Sequence, residues 1–342
     1  MIRRLRLVLV MTRPAVALLF ALYAAIGLAA TGHGEDRLLL ARVLVVVFGF
    51  LLFSVACNDI ADERVDAVNL AGDRRRPLVV GSGNRVEMLV IGGTSAVLAL
   101  VFAATLGLYV LLVLVGGLIL SAGYSVRPVR IADRGALASL VLPACYVAVP
   151  FLVGQFAAAT RSVRPADLTL LAGGLYVTFI GRILLKDFRD VRGDALFGKR
   201  TFLVRHGRGW TCVFSAVCLT AGAAVLAVSV PHPTVALVTG YAGGTVALLG
   251  LLAVLRTDRG PRRDEAVISA LAIVGRGMLL LLLAHLEMVT MRTGWPEYNG
   301  LMAGLVVLFA GQAIVMFRRG PITRTTVSSG GQVPTNVYEE AV

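Results

Sequence analysis

Residues 38–66 read LLLARVLVVVFGFLLFSVACNDIADERVD. Positions 38–57 carry a single charge, Arg42, and match in length the about 20 apolar residues a helix needs to cross roughly 30 Å of hydrocarbon. Carboxylates crowd the positions that follow, from Asn58 and Asp59 through Asp62 and Glu63 to Asp66. If the helix continues past the bilayer, Asp59, Asp62 and Asp66 fall at i, i+3 and i+7 and share one face. This stretch therefore reads as a lipid-anchored helix that presents charge at one membrane surface.

Similar apolar segments flank it. Ten are long enough to span, approximately 15–31, 38–57, 86–106, 108–123, 136–156, 168–185, 211–230, 234–255, 266–290 and 300–317, with only a weak break near Gly107 separating the third from the fourth. The 342-residue chain is 57% hydrophobic and 15% charged, with a mean hydropathy of +0.82. Those values exclude a water-soluble globule, a disordered chain and a coiled-coil rod. The expected fold is all-α, a polytopic membrane helical bundle of about nine or ten transmembrane helices. Residues 1–317 make up the transmembrane domain, and the Thr-, Ser- and Gly-rich stretch 318–342 reads as a disordered cytoplasmic tail.

A formal charge of +13 would suggest nucleic acid in a soluble protein, but here it follows from positive cytoplasmic loops, so no nucleic-acid partner is expected. Arginines gather at Arg64 and 74–76, at Arg127, Arg130 and Arg134, between Lys186 and Arg208, at Arg256, Arg259, Arg262 and Arg263, and at Arg318 and Arg319. With a cytoplasmic N-terminus, all of these lie on one side, as the positive-inside rule requires. Arg3, Arg4 and Arg6 precede an apolar run as in a signal peptide, yet Arg13 and Pro14 interrupt it and no cleavage site follows, so it reads as a mature first helix. The expected location is an integral cell membrane, multi-pass, with the charged site facing the cytoplasm.

A second acidic cluster, Asp187, Asp190 and Asp194, repeats the first cluster's spacing after the sixth apolar segment. The four segments between the clusters return the chain to the same face, a weak internal repeat of parallel sense. Like charges converging at a bundle mouth repel and lose hydration unless a cation binds. Hard oxygen donors suit Mg²⁺, which takes one or two carboxylates and completes its shell with water and phosphate oxygens. A diphosphate is the natural partner. Arg76, Arg127, Arg130, Lys186, Lys199 and Arg200 are the candidate cations for its outer oxygens. Lysine occurs only at Lys186 and Lys199, flanking the second cluster. Cys57, Cys145, Cys212 and Cys218 form no metal-spaced pair, and His206 and His285 lack companions at ligand spacing, so all six read as structural.

These residues resemble the UbiA superfamily of intramembrane prenyltransferases. Asn58 to Asp66 is similar to its NDxxDxxxD signature, and Asp187 to Asp194 to its DxxDxxxD signature. Arg76-Pro77-Leu78 with Gly81, Tyr124-Ser125 with Pro128 and Arg130, and Gly198 with Thr201 and Gly207 agree as well. The run from Lys186 to Asp194 looks most like the homogentisate and geranylgeranylglyceryl-phosphate prenyltransferase branches, although Arg192 stands where those often carry an acidic residue.

The resemblance implies a UbiA-like bundle of nine helices. Asn58, Asp59, Asp62, Asp66, Asp187, Asp190 and Asp194 would be its catalytic residues, with the six aspartates holding Mg²⁺. It implies Mg²⁺-dependent transfer of an isoprenyl group from a polyprenyl diphosphate to a small aromatic or polyol-phosphate acceptor within the lipid bilayer, with release of diphosphate. Phe50, Phe53, Tyr146, Phe151, Tyr176 and Phe179 are candidate faces for a developing cation. A terpene cyclase of the same superfamily is the alternative. A cation transporter is a more distant one, disfavoured because the acidic groups sit at helix ends rather than mid-span. Arg182, Arg276 and Glu287 are charged positions within apolar segments that none of these readings uses.

Overall fold

The computed structural model describes residues 2–69, 73, 76–158, 165–189, 196, 198, 201–230, 232–291 and 294–321. Among these the chain forms helices and no strand. They are α1 (Ile2–Met11), α2 (Pro14–Ala29), α3 (Arg37–Asn69), α4 (Arg85–Leu106), α5 (Leu108–Ser125), α6 (Ala136–Pro143), α7 (Val149–Phe156), α8 (Pro165–Ile183), α9 (Phe202–Ser229), α10 (Val235–Arg256), α11 (Pro261–Thr290) and α12 (Trp295–Arg319). Nine helical stretches among the described residues are long and apolar enough to cross a bilayer, α6 and α7 counting as one, and α1 with α2, bent by 61°, makes a tenth. Gly107, at φ 133°, separates α4 from α5. The last helix runs through Arg318 and Arg319, two residues past the expected domain boundary. The tail at 322–342 lies outside the described residues.

The 33 residues of α3 make a rod about 50 Å long at ~1.5 Å per residue. No bilayer core is that thick, so the helix carries Asn58 to Asp66 beyond the hydrocarbon as one continuous extension of the span. Glycines let neighbouring backbones close on it, which matters in lipid because no hydrophobic force drives one helix against another. A Cβ on Gly49 would meet the Ser95 carbonyl oxygen of α4 at 2.6 Å. Gly27 of α2 and Gly154 of α7 face each other's backbone in the same way, each pressed against a carbonyl of the opposite helix. At the α8–α9 crossing, Ser215 donates to the Gly181 carbonyl at 2.8 Å.

Most buried side chains belong to two large cores, with Ile180, Leu184 and Cys218 forming a small third cluster. Val43, Val47, Phe50 and Leu114 anchor the one built on α3 to α5, whereas Leu175, Leu248, Leu271 and Leu282 anchor the one built on α8 to α12. The wall between them is α2, which gives Phe20 and Ala24 to the first and Tyr23 and Ile26 to the second. At the end remote from the acidic motifs, Tyr298 bonds Thr234 at 2.6 Å and the buried His285 at 2.9 Å, tying α10, α11 and α12 together.

Between α6 and α7 the backbone widens into a π-turn at Ala144–Ala148. Pro143 has no N–H for the carbonyl four residues back, and the wider turn accommodates that gap in the hydrogen-bond ladder. The Tyr176 hydroxyl of α8 donates to the Leu140 carbonyl beside it. The turn brings Cys145 and Tyr146 onto an internal cavity.

Candidate active site

At the end of the bundle where α3 protrudes, Asn58, Asp62 and Asp66 line a cleft together with Lys186 and Asp187, which follow α8 through the 3₁₀ turn Leu184–Lys186. Residues from both acidic motifs therefore border one space. Arg76, Tyr124 and Thr201 complete the wall. Thr201 also caps α9, accepting from the Val204 N–H at 3.4 Å. A second lobe of about 150 Å³ shares Asn58, Arg76, Tyr124 and Lys186 with the cleft and continues inward past Phe20, Leu51, Cys145 and Tyr146. The two form one cavity that changes from polar at its mouth to apolar in its depth.

The first motif is neutralised from within. Asp59 is 3% exposed, and its Oδ1 accepts from both Arg13 and Arg76. Arg76 also pairs with Asp66 at 3.0 Å. Asp62 accepts from Arg130 at 2.7 Å on one oxygen and from the Asn58 amide at 2.9 Å on the other. Three guanidiniums thus offset three carboxylates that would otherwise repel. The exception is Asp59 Oδ2, which is buried and has no hydrogen-bond partner among the described residues. An orphaned carboxylate oxygen of this kind costs about 1–3 kcal/mol or more.

Arg130 is held by Asp133 at 2.6 Å and by the Ala61 carbonyl at 3.1 Å. Burial pulls its pKa down, but its hydrogen bonds and ion pairs with Asp133 and Asp62 outweigh that and raise it above the ordinary arginine value. Glu63, one turn beyond Asp59, pairs with Arg85 at 2.6 Å.

Sequence reasoning passed over Arg13, treating it only as an interruption. It sits at φ 45° in the bend between α1 and α2, where Pro14 opens α2 and the guanidinium turns onto Asp59. An arginine placed directly before a helix-opening proline, with apolar sequence on both sides, was the available signal. Arg127 is exposed and lines a neighbouring groove with Arg64 and Arg85 rather than the cleft. Asp190, Asp194, Lys199 and Arg200, like Arg192, lie outside the described residues.

Of the candidate aromatics, Phe50, Phe151 and Phe179 are buried, and Tyr146 stacks on Phe179 with ring centroids 5.4 Å apart. His206 packs against Phe202. Among the described residues, no three acidic, histidine or cysteine side chains gather tightly enough to hold an ion alone. The inward-turned arginines occupy the first motif, and half of the second motif is not described. The donor chemistry still suits a hard cation, because Asp62, Asp66, Asp187 and the Asn58 amide border one cleft.

A many-span helical bundle with such a cleft at one end defines an integral membrane protein built to handle a charged group beside lipid. The chain belongs to the UbiA prenyltransferase family, which it matches over residues 17–274. It is 26% identical to the bacteriochlorophyll synthase 34 kDa chain of Chloroflexus aurantiacus over 65% of this chain and 69% of that one. A chloroplastic chlorophyll synthase of Oryza sativa is 24% identical over 47% of this chain, and the match spans 44% of that relative's length. The fold is shared with a digeranylgeranylglyceryl phosphate synthase structure at a TM-score of 0.63 and 19% identity, covering 83% of this chain and 98% of the other. It is shared as well with a UbiA homologue from Archaeoglobus fulgidus bound to DMAPP and Mg²⁺, at a TM-score of 0.52 and 15% identity, covering 91% and 99%.

Proposed function

We propose that this protein transfers an isoprenyl group from a polyprenyl diphosphate to a small acceptor within the membrane, releasing diphosphate, with its site facing the cytoplasm. The observation that carries the reading is Asp59, whose Oδ2 is buried without a partner among the described residues beside guanidiniums suited to phosphate. Magnesium held by Asp59, Asp62 and Asp187, with Asp66, Asp190 and Asp194 in support, would neutralise the diphosphate and polarise its bond to the prenyl carbon. Relatives named for chlorophyll and digeranylgeranylglyceryl phosphate synthesis, and a homologue bound to DMAPP and Mg²⁺, support this choice of donor and metal.

The chain's own residues supply the remaining parts. Arg13 and Arg76 exchange their carboxylate partners for phosphate oxygens, and a guanidinium fork binds either oxyanion with similar geometry. Lys186 adds a compact charge at the mouth, with Lys199, Arg200, Arg127 and Arg130 as further candidates. The prenyl chain enters the inner lobe past Tyr124. There Phe20 and Tyr146, with ring centroids 5.2 Å apart, present aromatic faces to the allylic cation as diphosphate departs. The surrounding apolar wall of Leu51, Val55 and Leu142 keeps out water that would quench that cation.

The test is incubation of membranes containing the protein with Mg²⁺, isoprenyl diphosphates of several lengths and a panel of acceptors, followed by mass spectrometry of the lipid extract. Prenylated acceptor and free diphosphate are expected, both lost with EDTA and in Asp187→Asn. Diphosphate release that survives EDTA would overturn the reading. Cyclised hydrocarbon formed without acceptor would mark a terpene cyclase instead.

A further inference from the structure

Two arginines that the transfer chemistry does not use lie inside the bundle. Arg182 is on α8 and Arg276 on α11, both half-buried. The Arg182 guanidinium crosses to α11, where a Cβ on Gly275 would lie 3.1 Å from Nε and 3.2 Å from Cζ. Arg276 is the next residue along α11. Among the described residues, neither guanidinium has an ion pair or hydrogen bond to a protein group; Arg182 has only the Phe179 ring, 5.9 Å from its Cζ.

Their depth follows from a neighbouring contact. Arg189 donates to Ser269 at 3.1 Å, which sets the level of α11 against the end of α8. Moving inward from there, the Arg182 side chain reaches Gly275 after seven residues on one segment and six on the other. Arg182 precedes Asp187 by five residues, about 7.5 Å along a helix. The arginine pair thus lies below the diphosphate cleft, a distance that one substituted aromatic ring or one glycerol unit spans. Phe179 joins the two places, since it stacks on Tyr146 of the inner lobe.

An arginine does not lose its charge in a protein, and an intramembrane charge without a partner is costly and marks function. Two adjacent ones with no carboxylate call for an oxyanion. We propose that Arg182 and Arg276 form the subsite for an anionic group, a carboxylate or a phosphate, carried by the acceptor, and so restrict the enzyme to acidic acceptors. The assignment rests on the transferase reading above and narrows its acceptor class.

The experiment uses full-length protein in nanodiscs with Mg²⁺ and the best isoprenyl diphosphate. The acceptors are 4-hydroxybenzoate, homogentisate, 1,4-dihydroxy-2-naphthoate and a prenylglycerol phosphate, each paired with its neutral amide or dephosphorylated form. Wild type is expected to favour the anionic member by at least about tenfold in kcat/KM, the scale of one charge-assisted hydrogen bond. Arg276→Gln and Arg182→Gln should raise the KM of the anionic acceptor by about tenfold or more, bring the preference close to one, and move the donor KM less than twofold.

A wild-type preference for neutral acceptors, failure of every anionic probe to react or to shift the melting temperature, or an unchanged preference in both variants would overturn the subsite. A rise in donor KM instead would assign the pair to the diphosphate and overturn it too. If the Gln variants do not fold, Arg182→Lys and Arg276→Lys keep the charge, lose the fork and are read by the same ratio. Mg²⁺-dependent diphosphate release by wild type, measured alongside, separates failure of this subsite from failure of the transferase reading.

Discussion

Replacing Asp59 by Asn removes one charge and almost no volume. Asp59 Oδ1 accepts from two guanidiniums, those of Arg13 and Arg76, and a hydrogen bond to a charged group contributes about 1.5–3 kcal/mol. Most of that is retained in the variant, because Arg76 keeps Asp66 at 3.0 Å, the Asn carbonyl still accepts, and both arginines are 17–18% exposed. The stability loss is therefore about 1–2 kcal/mol, a shift of a few degrees in melting temperature. The effect on chemistry is larger, since Oδ2, already without a protein partner, becomes part of a neutral amide unsuited to a hard cation. Loss of one group that stabilises developing charge lowers rates about 10²–10³-fold. The assay is Mg²⁺-dependent diphosphate release at matched folded fraction. Glu63→Gln, one turn along α3 in an exposed pair with Arg85, serves as control and should stay within about twofold, since such pairs contribute about 0–1 kcal/mol. More than a tenth of wild-type release in Asp59→Asn would refute the role assigned to this carboxylate.

Two further outcomes test the frame that holds the site. Gly154→Ala drives a methyl group onto the Ala24 carbonyl and should cost about 1–3 kcal/mol by overpacking, lowering the melting temperature in detergent, while Gly93→Ala, with open space around it, should be neutral or slightly stabilising. Tyr298→Phe removes the hydrogen bonds to Thr234 and His285, each contributing about 0.5–1.5 kcal/mol; the melting temperature should fall while transfer kinetics stay within twofold, because the change lies at the far end of the bundle.

The bundle was legible because lipid imposes a simple rule: each crossing needs a long apolar run, and its end shows where charge begins. Gly107 illustrates the limit of that rule. Its single weak break between two apolar runs is a full helix boundary at positive φ, which composition alone barely signals. The i, i+3, i+7 spacing gave the common face of Asp59, Asp62 and Asp66 because α3 is one continuous helix through the motif. Spacing said nothing of which cations would cover that face. Arg13 and Arg130 reach it from 46 and 68 residues away, and such pairings depend on how α2 and the 126–135 loop fold back over α3. Arg76 and Arg127 looked alike as loop arginines, yet one is bonded to two aspartates and the other lines an outer groove.

The undivided length of α3 makes its aspartates the far end of a stiff rod whose middle crosses the hydrocarbon inside the bundle. A thinner or thicker membrane changes the tilt at which such a rod matches the hydrocarbon, and the tip swings accordingly. Asp187 rides on a different helix, beyond a 3₁₀ turn, and does not share that swing. The gap between the two acidic halves is thereby tied to hydrophobic mismatch, and host bilayers of different acyl-chain length would tune how well the jaws meet around one substrate.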